Sequence, residues 1–309
     1  MTAHPASADP AARGPIRLAF DGGQSALRVR VIPDGRTGSG PGFTHSANSI
    51  QATVDAVRAA ADQAGVTGPV EVAALGLTGF PKDLPTAEIL AKSIAETLRA
   101  TEVRLTQDMV TAHAGALPDR YGVVLAAGTG VVCLGIDRDG SWYKIDGHGY
   151  LFGDAGSAFA IGRAGLVAVQ RARDGRGPAT ALADTDLDPI ALYPSPTLVD
   201  DVARFAPVVL RRAAEGDPVA HDIVVRAAGE LAETIGAAIG SLAGQGQVPV
   251  ACVGGLFDGA GDQLAEPLRA KLPSRAELIV AEGNSLDGAQ RLASGPPGPY
   301  DELIVTHHA

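Results

Sequence analysis

The run Asp21-Gly22-Gly23-Gln24-Ser25 lies between two predicted strands and is the first candidate for chemistry. Consecutive glycines allow backbone N–H groups to point into a concave anion-binding site, and a carboxylate at a strand end can hold Mg²⁺ through water. The same residues are typical of a plain hairpin turn, because Asp-Gly is a common two-residue hairpin signal. The run therefore predicts either a phosphate-binding loop with a magnesium site or an ordinary turn.

Gly128-Thr129-Gly130 forms a second turn between two predicted strands and repeats the pattern of the first. A threonine hydroxyl and two glycine amides suit the terminal oxygens of a phosphate chain. A hairpin turn also explains these residues when they are taken alone. The occurrence of two such turns in similar surroundings favours phosphate binding, and two loops facing each other across a cleft would enclose a triphosphate.

The segment Gly147–Ser157 opens a predicted helix and contains four glycines. Asp154, near the helix start, would ordinarily cap free N–H groups. It could instead accept hydrogen bonds from the hydroxyl groups of a substrate. Capping accounts for the aspartate but not for the density of glycines, which is typical of backbone that approaches a ligand closely.

Asp108 lies where a short predicted strand ends and a helix begins. From this position a carboxylate can take the proton of a hydroxyl as that hydroxyl attacks the γ-phosphate of a nucleotide. An N-cap is the alternative, purely structural role.

Gly254 and Gly255 follow a predicted strand. Backbone without side chains could pass beneath an adenine ring at this point. The glycine pair indicates such a role only in combination with the other motifs.

The predicted elements place these motifs in two similar halves. In each half two apolar strands flank a glycine-rich turn, and strands and helices alternate afterwards. This weak internal duplication predicts an α/β fold of two domains, each opening with an antiparallel hairpin, with a cleft between them. The predicted ranges are a disordered leader over 1–15, an N-terminal domain over 16–118 plus about 284–309, and a C-terminal domain over 119–283.

The C-terminal half shows long helical patterns as well as strands. They predict one helix over 196–212 and another over 218–242, and the tail from Gly295 onward is predicted to be loop and fray, with His307 and His308 in it. His113, on a predicted helix, is interpreted as a satisfied histidine of the interior or surface and not as a metal ligand.

Composition excludes several classes of function. The chain has 309 residues and a formal net charge of −10, so a nucleic acid is not expected as its main partner, although a local basic patch could exist. Cys133 and Cys252 lie in separate apolar runs and predict buried, reduced thiols without zinc or a disulfide. With no signal peptide and no apolar run of membrane-spanning length, we expect a cytoplasmic protein that does not interact with membranes.

In their order along the chain, the motifs resemble those of the N-acetylglucosamine kinase and BadF/BadG/BcrA/BcrD ATPase family, within the actin, sugar-kinase and Hsp70 superfamily. The resemblance spans about residues 16–292, and its most specific part is the Gly-Tyr-Leu-Phe-Gly-Asp-Ala-Gly-Ser-Ala segment with Ile161-Gly-Arg163 behind it. The motifs that carry it are Asp21-Gly-Gly-Gln-Ser, Gly76-Leu-Thr-Gly79, Gln107-Asp108, Gly128-Thr-Gly130, Gly147–Ser157 and Val253-Gly-Gly-Leu-Phe257.

The resemblance implies two ribonuclease-H-like, actin-like ATPase domains that close over MgATP and a sugar, and often a homodimer. It implies that Asp108 is the catalytic base and that Asp21 organises Mg²⁺ through water. The residues implied to bind the sugar are Asn48, Thr78, Gly147, His148 and Asp154. The residues implied to bind ATP are Gly22, Gly23, Gln24, Ser25, Gly128, Thr129, Gly130, Gly254 and Gly255.

The sequence departs from the family pattern at two positions. The eukaryotic sugar kinases of the family have tryptophan where this chain has His148, in the loop that contacts sugar, and Gln107 stands where asparagine commonly precedes the base. The resulting hypothesis is an ATP-dependent kinase of N-acetylglucosamine or glucosamine that acts at the 6-hydroxyl, with the choice of sugar left open.

Two other functions stay open. One is an ATPase activator of an acyl-CoA dehydratase or reductase, which would hold an iron-sulfur cluster through cysteines in solvent-facing loops. The position of both cysteines in predicted strands argues against it. The other is a sugar or nucleotide sensor that binds its ligand without turnover.

Overall fold

The computed structural model describes residues 15–24, 26–43, 49–117, 121–185 and 189–309. The predicted leader, except for its last residue, and the site residues Ser25 and Asn48 lie outside the described residues. The chain divides into two compact units, the first comprising 1–114 and 285–309 and the second comprising 115–284.

Strands make up two sheets. Their bounds are β1 (Ile16–Gly22), β2 (Ala26–Ile32), β3 (Thr37–Pro41), β4 (Val70–Leu77), β5 (Ala100–Gln107), β6 (Gly122–Ala127), β7 (Val131–Ile136), β8 (Trp142–Asp146), β9 (Val248–Val253), β10 (Ala276–Ile279) and β11 (Val305–His308).

Helices connect the strands. Their bounds are α1 (Ser49–Gln63), α2 (Leu84–Leu98), α3 (Asp108–Ala116), α4 (Ala158–Arg173), α5 (Leu198–Ala203), α6 (Ala206–Ala214), α7 (Pro218–Ser241), α8 (Gly255–Ala260), α9 (Asp262–Arg269) and α10 (Ser285–Ser294). Among the described residues, no helix is both long enough and apolar enough to cross a lipid bilayer.

The two sheets repeat one strand order. The first runs β11-β5-β4-β1-β2-β3 and the second β10-β9-β6-β7-β8. In the first sheet β1 pairs antiparallel with β2 and parallel with β4, and in the second β6 pairs antiparallel with β7 and parallel with β9. The predicted duplication and its two antiparallel hairpins are therefore confirmed, and β11 is an addition at the edge of the first sheet.

Each unit has its own hydrophobic core. In the first unit β1 and β4 lie inside the sheet, and nearly all their residues are buried, which explains the continuous apolar sequences of both strands. In the second unit the apolar face of α7 packs against α4, α6 and β7, with Leu231 and Ile235 fully buried. Separate cores explain why each half of the sequence carries a complete apolar pattern.

The predicted loop and fray after Gly295 is wrong. Residues 298–303 form a short 3₁₀ helix, and β11 pairs antiparallel with β5, so that His307 and His308 belong to a strand. Tyr300 is fully buried, and its hydroxyl oxygen lies 2.9 Å from Nδ1 of His113. Backbone pairing with the edge strand β5 and burial of the Tyr300 side chain hold the tail in a regular structure.

The single helix predicted over 196–212 is also wrong, because the structure has α5 and α6 there. Pro207 lies in the first turn of α6. Proline has no N–H to continue a preceding helix, and its ring clashes with the carbonyl four residues earlier. The strand before Asp108, predicted to be short, is the eight-residue β5.

Candidate functional site

The first unit brings three predicted site residues together at one edge of its sheet. Strands β1, β4 and β5 are parallel, and their last residues, Gly22, Leu77 and Gln107, are in register. Asp21 lies at the end of β1, while Thr78 and Asp108 directly follow β4 and β5. Their proximity thus follows from the carboxyl ends of parallel strands meeting at one edge, where ligands of α/β proteins commonly bind.

Hydrogen bonds fix Thr78 and Asp108 to each other. The backbone N–H of Thr78 donates to the carbonyl of Gly22 at 2.7 Å, and its hydroxyl donates to Oδ2 of Asp108. The carbonyl of Asp108 in turn accepts from the hydroxyl of Thr111 at 2.9 Å, within the first turn of α3. The Asp108 carboxylate is therefore held in a defined orientation beside the end of β1.

Asp21 is a buried carboxylate with a cationic neighbour. Its side chain accepts a hydrogen bond from Nη2 of Arg28 at 2.9 Å. Burial raises the pKa of Asp21, the positive charge of Arg28 opposes that rise, and the negative charge of Asp108 adds to it. Sequence reasoning missed Arg28, although the hairpin register pairs it directly with Asp21 and could have indicated the contact.

The first predicted phosphate loop is a hairpin turn in its backbone bonding. The N–H of Gly23 donates to the carbonyl of Ala26 at 2.9 Å, and the carbonyl of Gly23 accepts from Phe43 at 3.0 Å. Gly22 and Gly23 line a small cavity of about 20 Å³ together with Thr78. Gln24 lies in the turn itself.

Gly76, in the Gly76-Leu-Thr-Gly79 motif, allows α3 to lie against β4. A Cβ at this position would overlap the hydroxyl of Thr111 and lie 2.8 Å from its Cβ. Thr111 belongs to α3, the helix that begins at Asp108. Because Gly76 has no side chain, α3 can pack close to β4, and this packing holds the Asp108 carboxylate near the edge of the sheet.

We expect Gly76→Ala to lower the free energy of unfolding by about 1–3 kcal/mol, since the added methyl group overpacks the contact with Thr111. Urea denaturation followed by far-ultraviolet circular dichroism measures this change. The control is Gly236→Ala in α7, where a Cβ meets nothing within 4 Å and the substitution should be neutral or stabilising. Equal behaviour of the two variants would contradict the close approach of α3 and β4.

The second unit joins two motifs that the sequence presents as separate. The carbonyls of Gly128 and Thr129 accept hydrogen bonds from the N–H groups of Ala158 at 2.9 Å and Phe159 at 3.2 Å, in the first turn of α4. Oδ1 of Asp154 accepts from the N–H of Val131 at 3.1 Å. The turn at 128–130 and the loop before α4 therefore form one cluster.

Asp154 does not cap α4. That role belongs to Ser157, whose hydroxyl oxygen accepts from the N–H of Ala160 at 3.1 Å. A Cβ on Gly130 would lie only 2.8 Å from Oδ2 of Asp154, so glycine is needed there. Burial is the main cause of a raised pKa at Asp154; the hydrogen bond from Val131 opposes it.

The loop between β8 and α4 carries the other two predicted sugar residues. Gly147 has a φ of 72°, in the left-handed region, and the side chain of His148 is exposed. Asp146, at the end of β8, accepts a hydrogen bond from the N–H of Asp154 at 3.0 Å. Sequence reasoning missed Asp146, although an aspartate just before a glycine-rich loop is a common partner of loop N–H groups.

The glycine pair after β9 lies beside the 128–130 turn. Gly254 has a φ of 103°, and a Cβ on it would lie 2.5 Å from the carbonyl oxygen of Ala127. Gly255 begins α8. The two predicted ATP-binding segments of this unit thus lie together at the carboxyl end of β6. In the repeat that forms the first unit, the equivalent end of the sheet carries Asp21 and Asp108.

The residues of the first unit fit Mg²⁺ held largely by water and phosphate. In the part of the chain that the structure describes, no group of three or more histidine, cysteine or acidic side chains could enclose a metal ion. Mg²⁺ is usually bound through one or two carboxylates, with water and substrate phosphates as its remaining ligands. Asp21, buried at the end of β1, supplies a carboxylate of that kind.

Comparison with known proteins gives a consistent result. A model of the BadF/BadG/BcrA/BcrD ATPase family matches residues 20–281. The chain is 27% identical over 238 residues to an N-acetyl-D-glucosamine kinase of Dictyostelium discoideum, covering 71% of this chain and 74% of that one. It is 24% identical over 305 residues to the glucosamine kinase GspK of Vibrio cholerae, covering 90% and 96%.

A solved structure supports the same grouping. A candidate N-acetylglucosamine kinase from Chromobacterium violaceum superposes with a TM-score of 0.69 at 27% identity, over 91% of this chain and 99% of that one. The predicted fold class, α/β with two ribonuclease-H-like domains, is confirmed by the two repeated sheets and this similarity. Because the family model covers most of its length, the chain belongs to the BadF/BadG/BcrA/BcrD ATPase family.

Proposed function

We propose that the protein is an ATP-dependent kinase that transfers the γ-phosphate to the 6-hydroxyl of N-acetylglucosamine or glucosamine. The observation that carries the proposal is the position of the Asp108 carboxylate, which accepts a hydrogen bond from the Thr78 hydroxyl and lies near Asp21 at the carboxyl end of the parallel strands. The membership of the chain in a family of ATPases supports ATP as the phosphate donor. The names of the relatives, two of which are kinases of amino sugars, support the substrate class.

Asp108 acts as the base in this proposal. A base for phosphoryl transfer has to lie within hydrogen-bond reach of the attacking hydroxyl. The bond from Thr78 fixes the orientation of Asp108, and the ionised carboxylate would take the proton of the sugar hydroxyl as its oxygen attacks the γ-phosphate. When bound, Mg²⁺ supplies neutralisation of phosphate charge, and Asp21 is the residue that would hold it through water.

The second unit supplies groups for ATP and sugar. The turn Gly128-Thr129-Gly130 offers a hydroxyl and backbone amides to phosphate oxygens, and Gly254-Gly255 offers backbone to the adenosine. Asp154 accepts hydrogen bonds from sugar hydroxyls. The hydrogen bond from the N–H of Val131 to Asp154, next to the 128–130 turn, supports assigning both segments to one binding region.

The activator function is less well supported. Cys133 is fully buried in β7, and burial raises the pKa of its thiol. Cys252 lies in β9, and burial raises its pKa to about 12. The chain has no other cysteines. An iron-sulfur cluster is held by cysteine thiolates, and the raised pKa values of these two side chains disfavour the thiolate form. The kinase is therefore the better proposal.

An ADP-release assay tests the function. It should use N-acetylglucosamine, glucosamine, N-acetylmannosamine, N-acetylmuramic acid, glucose and a sample without sugar. We expect one of the first two sugars to give the highest kcat/KM, and ³¹P NMR of the product to show a 6-phosphate. Equal ADP release without sugar would favour the activator, and ligand binding without any turnover would favour the sensor.

The pH dependence of kcat/KM provides a separate prediction about Asp21. Burial raises its pKa above the ordinary value of about 3.9, so activity that needs the ionised carboxylate should fall as the pH decreases through this raised pKa. Arg28→Gln removes the charge that lowers this pKa. The acid limb of the profile should therefore move to higher pH in the variant.

The control for that profile is Arg58→Gln, which removes an exposed arginine paired with Asp55 on α1. Its acid limb should coincide with that of the unmodified protein. An unmoved limb in Arg28→Gln would mean that Asp21 does not control the acid side of the profile.

Three expectations from the sequence remain predictions. The homodimer implied by the family resemblance can be measured by sedimentation equilibrium. The cytoplasmic location and the lack of a nucleic-acid or membrane partner also remain to be measured.

A further inference from the structure

Asp146 has an unusual backbone conformation at the start of the loop that contains the proposed sugar residues. It ends β8 with a φ of 60°, and Asp154, at the other end of the loop, has a φ of 57°. Side chains other than glycine rarely adopt this region, and aspartate tolerates it best when its carboxylate bonds to nearby backbone. Two such aspartates at the ends of one loop indicate a specific local arrangement.

The carboxylate of Asp146 fastens the two ends of the loop together. Oδ1 accepts a hydrogen bond from the N–H of Asp154 at 3.0 Å and lies 3.5 Å from the backbone nitrogen of His148. A Cβ on Gly153 would overlap the same oxygen. The carboxylate therefore fills the centre of the loop, and Gly153 is the residue that leaves room for it.

The orientation of Asp154 depends on this contact. With its N–H bound by Asp146, Asp154 directs Oδ1 to the N–H of Val131, which directly follows the 128–130 turn. A continuous series of hydrogen bonds thus runs from Asp146 through Asp154 to the phosphate turn.

We propose that Asp146 is a positioning residue that sets sugar affinity by orienting Asp154. This inference rests on the proposed function, in which Asp154 binds the sugar. Asp146 itself does not need to touch the substrate. Its contribution is the acceptor oxygen that holds the N–H of Asp154.

Two substitutions separate the acceptor from the backbone conformation. Asp146→Gly removes the acceptor oxygen, and glycine adopts the positive φ without strain. Asp146→Asn keeps an acceptor oxygen and also tolerates this φ. We expect Asp146→Gly to raise the KM for the sugar about 5- to 30-fold, the range for one or two lost hydrogen bonds, with a smaller change in kcat. Asp146→Asn should stay within about 3-fold of the unmodified protein.

A double-mutant cycle distinguishes positioning from a general loss of structure. In an Asp154→Gly background, which removes the carboxylate and tolerates the φ of 57°, Asp146→Gly should have little further effect on KM, because both changes act through the same carboxylate. The control Asp139→Gly removes an aspartate that binds a turn N–H at the opposite end of the β7–β8 hairpin, and it should leave both kinetic constants unchanged. Additive effects of Asp146→Gly and Asp154→Gly, or an unchanged sugar KM in Asp146→Gly, would overturn the inference.

Hydrogen exchange tests the same contact without substrate. Asp146→Gly should speed exchange of the Asp154 amide, and Asp146→Asn should not. If no sugar stimulates ADP release by the unmodified protein but this exchange pattern is found, the proposed function fails while the positioning of Asp154 stands. Unchanged exchange in Asp146→Gly would refute the positioning whatever the substrate.

Discussion

Asp108→Asn is expected to lower kcat for sugar-dependent ADP release by about 100- to 10,000-fold, the range typical of losing a general base. Asparagine preserves the shape of the side chain and can still accept the hydrogen bond from Thr78, but it cannot take the proton of the attacking hydroxyl. The KM values for ATP and sugar should change far less, since proton transfer occurs only in the transition state.

A matched control makes this result specific. Asp262 is also the first residue of a helix, α9, and its side chain is exposed. Asp262→Asn should therefore keep the kinetic constants of the unmodified protein. Sugar-dependent kcat within 10-fold of normal in Asp108→Asn would remove Asp108 from the role of base.

Tyr300→Ala is expected to lower the free energy of unfolding by about 3–5 kcal/mol, because the side chain is fully buried and its removal leaves a cavity. Tyr300→Phe keeps the ring and removes only the hydroxyl beside His113, so a loss of about 1–3 kcal/mol is expected. Urea denaturation followed by far-ultraviolet circular dichroism measures both. Fluorescence would be less suitable, since the one tryptophan, Trp142, belongs to the second unit.

The control for Tyr300 is another tyrosine with a different environment. Tyr193 is 83% exposed, and Tyr193→Ala should change the free energy of unfolding by less than about 0.5 kcal/mol. A Tyr300→Ala variant as stable as Tyr193→Ala would mean that the C-terminal segment does not pack against α3. Since α3 begins at Asp108, the destabilised variant should also lose activity at temperatures where the control does not.

The sequence predicted the elements whose signals are local. The hairpins β1–β2 and β6–β7 follow from apolar strands around a glycine-rich turn, and α7 follows from a long amphipathic pattern that starts with a capping aspartate and a proline. The duplication of the hairpins predicted two similar α/β units, and the structure shows that they share one strand order. Such features depend on neighbouring residues and can therefore be recognised without tertiary structure.

Long-range pairing explains the errors. The tail after Gly295 is rich in proline and glycine and has no periodic pattern, but β11 is stabilised by the free edge of β5, about 200 residues earlier in the chain. The burial of Tyr300 against His113 has the same origin. No local pattern around residue 300 carries information about the edge of a distant strand.

From the sequence alone, three aspartates could be proposed as functional residues, Asp21, Asp108 and Asp154, each next to a turn or a helix start. Tertiary structure decided their partners. Arg28 meets Asp21 through hairpin register, Thr78 meets Asp108 because parallel strands end together, and Asp146 holds Asp154 through a loop folded back on itself. These contacts depend on strand register and on positive φ angles, which bring together side chains that are separated in the sequence.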